Sequence, residues 1–297
     1  MKLFVPLKLF VIIAALLVLE SRLPAANDRA STPQYFFAMD TAARGEPAMV
    51  AGMLKDLGYA GLGGSASDRK SPALLKQQGL KFFNAYHTAE FAAETPALTE
   101  SMKGYIDALR GFDSALWLAI NKVKRGEIQL ASTDRAAEVV VLEKLREICD
   151  YAEPRGVKIA LYPHTGFWLE RFERGMELAE KMNRPSLGTT FNLCHWLKVE
   201  GSERDPAPLL AKANPRLMFV TINGADGGDT QHMGWDRLIQ PLGEGTYDVR
   251  QFLTKLNAAG YRGPIGFQGY GIKLESRELL TRTMRAWRLM QDSIKLR

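Results

Sequence analysis

Histidines that could transfer protons lie where the sequence predicts that strands end. The chain has four histidines, and three of them, His87, His164 and His195, end or closely follow apolar segments. An imidazole titrates near neutral pH, so a pair of histidines can remove and return protons during catalysis. We therefore interpret His164 and His195 as the catalytic acid–base pair. The alternative for each histidine taken singly is a hydrogen-bonded residue that only fills space.

Amides, hydroxyls and one carboxyl end the other predicted strands. The remaining polar residues at these ends are Asp40, Asn121, Tyr162, Asn192, Thr221, Asn223 and Gln268. Amides and hydroxyls both donate and accept hydrogen bonds, as the hydroxyls of a neutral polyol do. The predicted substrate-binding residues are therefore His87, Asn121, Tyr162, Asn192, Asn223 and Gln268.

Two tryptophans directly follow predicted strands and could form the rim of a sugar site. They are Trp168 and Trp196, and we predict that they bind substrate by stacking on a sugar face. The alternative for both is packing in the core. For Trp117, inside a predicted strand, we favour core packing.

Short β-branched or aromatic runs alternate with amphipathic stretches along the chain. The eight predicted strands cover residues 34–41, 59–63, 80–87, 115–121, 157–162, 188–192, 217–223 and 264–268. Most are apolar throughout, as parallel strands covered on both faces are, and a predicted helix follows each one. Eight such units predict an α/β fold, the (β/α)8 TIM barrel, with its chemistry at the carboxyl ends of the strands. An open doubly wound sheet is the alternative, although the first strand lacks a following Gly-x-Gly-x-x-Gly segment.

The N-terminal segment differs from the rest of the chain. Lys2 and Lys8 precede an unbroken apolar run over residues 9–19, and small residues follow. This pattern predicts a secretory signal peptide over residues 1–26, a single barrel domain over residues 27–297, and a periplasmic or secreted protein. The apolar run is short for a membrane span, which takes about 20 residues, and an uncleaved N-terminal anchor is the alternative.

Composition narrows the function classes. Hydrophobic residues make up 46% and charged residues 24% of the chain, which excludes a disordered tail protein and a collagen-like fibre. Two cysteines are too few for a disulfide-built scaffold or a cysteine-rich zinc module. The net charge of +6 is spread out without a long basic run, so we expect no nucleic-acid partner. A small-molecule carbohydrate is the predicted partner, and the oligomeric state is left open.

Four segments of the chain resemble a known enzyme family. They are residues 156–164 (GVKIALYPH), 192–195 (NLCH), 242–248 (LGEGTYD) and 256–268 (LNAAGYRGPIGFQ). They are similar to segments of the sugar phosphate isomerase/epimerase family, which has the xylose isomerase-like TIM barrel. The resemblance implies an isomerase, an epimerase or a related lyase of carbohydrate metabolism.

The family's metal-binding positions are altered in this sequence. Its members usually hold one divalent ion, such as Mn, Zn, Co or Mg, through Glu, Asp, His and Glu at the last four strands. The aligned positions here carry Tyr162, Asn192, Thr221 and Gln268, none of which supplies the carboxylates that hard cations favour. We assign no metal ligand, and the standard metal-dependent mechanism is not expected. A softer ion on His164 and His195, completed by Asp226 or Asp229, is an alternative.

The sequence leaves two functions open. One is an exported enzyme that acts on a sugar or sugar derivative by isomerisation, epimerisation or elimination, with His164 and His195 as its acid–base pair. The other is a catalytically degenerate, metal-free sugar-binding protein on the same scaffold. A phosphodiesterase like the apurinic endonucleases of related barrels would need more carboxylates and histidines than the predicted strand ends supply.

Overall fold

The computed structural model describes Met1 and residues 35–295. Apart from Met1, the predicted signal peptide lies outside the described residues. None of the described helices is long and apolar enough to cross a membrane.

Eight parallel strands close into a barrel. In chain order the strands are β1 (Phe36–Met39), β2 (Gly61–Ser65), β3 (Lys81–Ala92), β4 (Ala115–Arg125), β5 (Ile128–Gln129), β6 (Lys158–Leu161), β7 (Leu187–Asn192), β8 (Leu217–Ile222) and β9 (Ile265–Phe267). Strand β5 only pairs antiparallel with the end of β4, and the barrel closes where β9 pairs with β1. Strand β1 consequently lies four strands from β6 in either direction, on the opposite wall. The predicted TIM barrel is confirmed.

Helices cover the outside of the barrel, apart from one short helix in the loop after β8. They are α1 (Pro47–Leu57), α2 (Ser71–Gln77), α3 (Glu100–Leu109), α4 (Arg135–Ala152), α5 (Phe172–Met182), α6 (Leu193–Glu200), α7 (Ala207–Ala213), α8 (Trp235–Leu238), α9 (Val249–Ala258) and α10 (Ser276–Lys295). Helix α6 begins directly after β7 because the Asn192 side chain accepts a hydrogen bond from the backbone N–H of His195. The carboxyl end of β7 is thereby joined to a helix N-terminus without a loop.

Aromatic side chains fill the inside of the barrel. Phe37 stacks on Phe83 with ring centroids 4.5 Å apart, and Trp117 stacks on Tyr162 at 5.1 Å. Trp117 is 1% exposed, as the core-packing interpretation expects. This packed interior is a rigid floor for the residues at the carboxyl end, because a close-packed core resists small displacements.

Strands β3 and β4 run further than the sequence predicted. Their pairing continues to Ala92 and Lys124, beyond the predicted ends at residues 87 and 121. Residues 88–92 (TAEFA) and 122–125 (KVKR) carry alternating polar and apolar side chains, a pattern typical of strands with one exposed face. Glu90 bridges the two extensions through Lys122 at 3.1 Å. As a result, His87 and Asn121 lie within strands and not at their ends.

Steric contact requires the second glycine of the glycine–glutamate–glycine segment, residues 243–245. Gly245 has a φ of +86°, and a Cβ there would lie 2.1 Å from the carbonyl oxygen of Ala225. We expect Gly245→Ala to lower the free energy of unfolding by about 2–4 kcal/mol, since backbone strain and steric overlap add. Gly52→Ala in α1 is the control, because it meets nothing within 4 Å and should stabilise the helix slightly. Urea unfolding measures both, and equal stability of the two variants would contradict the prediction.

Candidate active site at the barrel mouth

A cavity of about 480 Å³ opens at the carboxyl ends of the strands. Its walls come from residues of β1, β2 and β3, from the residues that follow β1, β6, β7 and β9, and from the loop after β8. The polar residues on these walls include Asp40, Thr41, Tyr162, His164, His195 and Gln268. The exposed rings of Trp235 and Tyr270 stand at its rim, with 37% and 62% of their surface exposed. Its size and mixed lining suit a small polar molecule.

The two predicted catalytic histidines contact each other in this cavity. The ring centroids of His164 and His195 are 4.2 Å apart, and the rings are tilted by 48°. Nδ1 of His164 lies 2.8 Å from the carbonyl oxygen of Thr165, and Nδ1 of His195 lies 3.1 Å from Oγ1 of the same threonine. One residue therefore orients both rings.

Burial keeps both imidazoles neutral. It holds the pKa of His195 well below the usual 6.5, and a positive charge on His164 would lower that pKa further. Burial also lowers the pKa of His164. Because desolvation penalises the charged form, both rings are uncharged at neutral pH and one nitrogen of each is free of a proton.

These pKa shifts predict a loss of stability in mild acid. Folding favours the neutral form of His195, so its contribution to stability is complete above pH 6.5 and is lost as the pH falls below that value. We expect the free energy of unfolding to fall less steeply between pH 6.5 and 5.5 in His195→Gln than in the wild type. Urea titrations at several pH values measure this difference, and identical pH dependence in the two proteins would contradict it.

Neutral hydrogen bonds lie along one side of the cavity. Asn192 donates its amide to the hydroxyl of Tyr162, which lines the cavity together with Gln268. Thr41 donates to Oε1 of Gln268 at 2.6 Å. Burial raises the pKa of Tyr162 well above 10, so its phenol keeps its proton. Gln268 accepts through its oxygen, which leaves its amide N–H groups as donors.

Asp40 is the one charged side chain among the described residues that line the cavity. Burial raises the pKa of its carboxyl, while the backbone N–H groups of Ser65 and Thr41 counteract that rise. The sequence placed Asp40 at a strand end but gave it no role. Its signal was a carboxyl directly after the apolar run that forms β1.

Comparison with known proteins identifies the family. The family model described as xylose isomerase-like TIM barrel matches residues 72–288. The chain belongs to this family. Among curated proteins, the chain is similar to the 3-dehydroshikimate dehydratase of Pseudomonas aeruginosa, with 26% identity over 140 residues. That match covers 46% of this chain and 22% of the relative, so the chain spans about a fifth of the relative's length.

Solved structures of other proteins share the fold. The IolI protein with a bound zinc atom superposes with a TM-score of 0.72 at 14% identity, covering 88% of this chain and 99% of that one. The D-allulose 3-epimerase from Methylomonas sp. gives a TM-score of 0.66 at 16% identity, covering 86% of this chain and 98% of that one. At these identities the likeness shows the fold alone.

The residues at the family's metal-binding positions do not fit a divalent ion. Tyr162, Asn192 and Gln268 are neutral, and Thr221 is a buried hydroxyl. The amide of Asn192 bonds to Tyr162, and that of Gln268 bonds to Thr41. Within the part of the chain that the structure describes, no group of three His, Cys, Asp or Glu residues could hold a metal. At these four positions a hard cation would thus meet only uncharged donors. The one carboxyl of the described cavity wall, Asp40, follows β1 on the wall opposite β6.

The alternative ion site on the histidine pair is not supported either. It needed a carboxylate from the loop after β8 beside His164 and His195. Asp226 instead pairs with Arg237 at 2.9 Å, and Asp229 pairs with His232 at 2.8 Å. Both carboxylates therefore bond to residues of their own loop and not to an ion at the histidine pair.

Four predicted binding residues lie behind or beside the cavity. The ring of His87 packs on Tyr105 of α3, with centroids 4.8 Å apart, and the Asn121 amide donates to Glu90 at 3.4 Å. Asn223 is buried and donates to the carbonyl oxygen of Leu238. Asn192 supports Tyr162 from behind. We correct the direct binding role of all four, because strand periodicity does not reveal how far a strand continues or which way its last side chain turns.

The two tryptophans predicted at the rim are core residues. Trp168 and Trp196 are 6% and 4% exposed. The backbone N–H of Trp168 donates to the carbonyl oxygen of Asn121, which ties this loop to β4, and the ring lies under Arg174. The ring of Trp196 faces Phe191, with centroids 5.4 Å apart. The rim prediction is corrected in favour of Trp235 and Tyr270.

Proposed function

We propose that this protein is an exported isomerase or epimerase that acts on a neutral saccharide at the barrel mouth without a bound metal. The observation that carries the proposal is the contact between His164 and His195, two neutral imidazoles that line one cavity. Family membership supports a sugar substrate, since one structural neighbour is a D-allulose 3-epimerase. The carbohydrate would be a small molecule, bound between the strand ends and the aromatic rim.

The side chains can transfer a proton beside a carbonyl group. A neutral imidazole removes a proton from the carbon next to the carbonyl, and the same proton or another returns to that carbon or its neighbour. Negative charge then develops on the carbonyl oxygen. The hydroxyl of Tyr162 and the amide N–H groups of Gln268 are neutral donors on the cavity wall that can stabilise this charge.

The charge of the cavity favours a neutral substrate. Among the described lining residues there is no lysine or arginine, and Asp40 is a carboxyl. A phosphorylated sugar would find no cation to pair with its phosphate and would be repelled by Asp40 once that group is ionised. Trp235 and Tyr270 present aromatic faces on which the C–H face of a sugar can stack.

Proton exchange in heavy water tests this function. The full-length protein would be incubated with a panel of neutral ketoses, aldoses and keto-sugars in D2O and followed by proton NMR. We expect loss of the signal next to the carbonyl and formation of an isomer or epimer for at least one sugar. Neither exchange nor product across the panel would overturn the proposal.

A binding protein without chemistry is the second candidate. The observation that favours it is the joint replacement of the family's four metal-binding residues by neutral ones. Calorimetry distinguishes the two, because tight binding of a sugar that shows no exchange in D2O would establish binding alone.

Export is proposed from the N-terminal segment. Residues 1–26 have the basic start, apolar run and small residues of a signal peptide. N-terminal sequencing of the secreted protein should find Asn27 first, whereas an intact Met1 on a membrane-bound protein would indicate an anchor.

A further inference from the structure

The backbone of Thr165 contacts His164 through a hydrogen-bond acceptor and His195 through a hydrogen-bond donor. Its carbonyl oxygen lies 2.8 Å from Nδ1 of His164. A carbonyl oxygen only accepts hydrogen bonds, so Nδ1 of His164 must carry the proton in this contact. In the neutral ring the lone pair is then on Nε2.

The second contact has the opposite polarity. The backbone N–H of Thr165 donates to Nδ1 of His195 at 3.4 Å, and the hydroxyl of Thr165 lies 3.1 Å from the same nitrogen. A backbone N–H only donates, so Nδ1 of His195 must be the unprotonated nitrogen. The proton of this neutral ring is then on Nε2.

We propose that Thr165 is a positioning residue that fixes the two histidines in opposite tautomers, so that His164 is the base and His195 is the hydrogen-bond donor. Both Nδ1 atoms are engaged by Thr165, which leaves Nε2 of each ring as the atom available to a ligand in the cavity. Nε2 carries a lone pair in His164 and a proton in His195. The tautomers follow from the geometry alone, whereas the roles of the two rings in catalysis rest on the proposed function.

The two roles balance in charge without a second acid. Nε2 of His164 takes the proton from carbon and becomes an imidazolium, and the electron pair moves to the carbonyl oxygen. His195 keeps its proton and donates a hydrogen bond from Nε2 to that oxygen, as a neutral imidazole with a lowered pKa can. In an isomerisation, His164 then delivers this proton to the former carbonyl carbon, while the proton of the neighbouring hydroxyl passes to the enediolate oxygen. A new carbonyl group forms at the first carbon, and both histidines regain their starting protonation.

The position of His195 is fixed from two directions. Oδ1 of Asn192 accepts from the backbone N–H of His195 and holds it in the first turn of α6. The ring also packs against Trp235 in a T-shaped arrangement, with centroids 5.6 Å apart. The ring therefore has little freedom to exchange its contact with Thr165 for another.

Nitrogen NMR tests the tautomers without any substrate. Long-range proton–nitrogen spectra of the full-length, 15N-labelled protein at pH 7.5 would be assigned with His164→Gln and His195→Gln. We expect a protonated Nδ1 in His164 and a protonated Nε2 in His195, and Thr165→Val, which keeps both backbone contacts, should give the same pattern. The same tautomer in both rings, or two protons on either ring, would overturn the proposal even if the sugar substrate stayed unidentified.

Kinetics then tests the assigned roles once a substrate is known. Glutamine places its amide nitrogen near the position of Nε2, and asparagine places it near Nδ1. We expect His195→Gln to retain at least tenfold more turnover than His195→Asn, while His164→Gln is as inactive as His164→Ala. Equal loss in His195→Gln and His195→Asn would overturn the donor role, and substantial activity in His164→Gln would overturn the base role.

Discussion

Replacing either His164 or His195 by alanine lowers the rate of turnover by about 10²–10⁴-fold, the usual contribution of a positioned proton-transfer group or of a hydrogen-bond donor to a developing oxyanion. The two rings are in contact, and no other described histidine lines the cavity. No neighbouring histidine can therefore take over the role of the one that is removed. The loss falls on kcat, because the groups act on the reacting carbon and its carbonyl. Steady-state kinetics on the sugar identified by exchange in D2O measures it.

Two other histidines are matched controls for this prediction. His87 packs against α3, and His232 is an exposed loop residue bonded to Asp229. Replacing either by alanine should leave kcat unchanged, as neither lines the cavity. Retained turnover in both His164→Ala and His195→Ala would show that the chemistry is elsewhere.

The second large effect is expected at Asp40. Asp40→Asn keeps the shape of the side chain but removes the one charge on the described cavity wall. Hydrogen bonds to a charged group contribute about 1.5–3 kcal/mol, so kcat/KM for a neutral sugar should fall by roughly 10–100-fold. Binding of a phosphorylated sugar should improve relative to the neutral one, because the repulsion is removed.

Asp68→Asn is the control for this charge change. Asp68 lies near Asp40 but accepts from the backbone N–H groups at the start of α2 and does not line the cavity. Asparagine can keep that cap, so activity and charge preference should stay as in the wild type. If the two variants behaved alike, or if the wild type bound the phosphorylated sugar more tightly, Asp40 would not select for charge.

The strands were predictable because barrel strands carry a strong local signal. Continuous apolar runs such as residues 115–121 are buried on both faces. All eight barrel strands lie in the chain order that the sequence predicts. Closure was not predictable from such runs, since it depends on the pairing of β1 with β9, more than two hundred residues apart. The fold class therefore rested on the count of units and on the family resemblance.

The site was predictable where a residue follows a strand that ends in the barrel mouth. Tyr162, His164, His195 and Gln268 meet there for that reason. Side-chain direction was the missing information elsewhere. A loop bonded to β4 turns Trp168 into the core, and His87 points outward to α3 while its neighbour Tyr86 lines the cavity. Asp40 was correctly placed at a strand end, but its role follows only from the structure, where it is the one carboxyl on the described cavity wall.

The metal content of the purified full-length protein tests the account most directly. It would be measured together with the melting temperature before and after EDTA, and after addition of Mn, Zn, Co or Mg. Neutral side chains at the family's metal positions predict no stoichiometric ion and no change in melting temperature. One bound ion per chain, with a shift of several degrees on its removal, would contradict metal-free histidine chemistry and return the site to the family's usual mechanism.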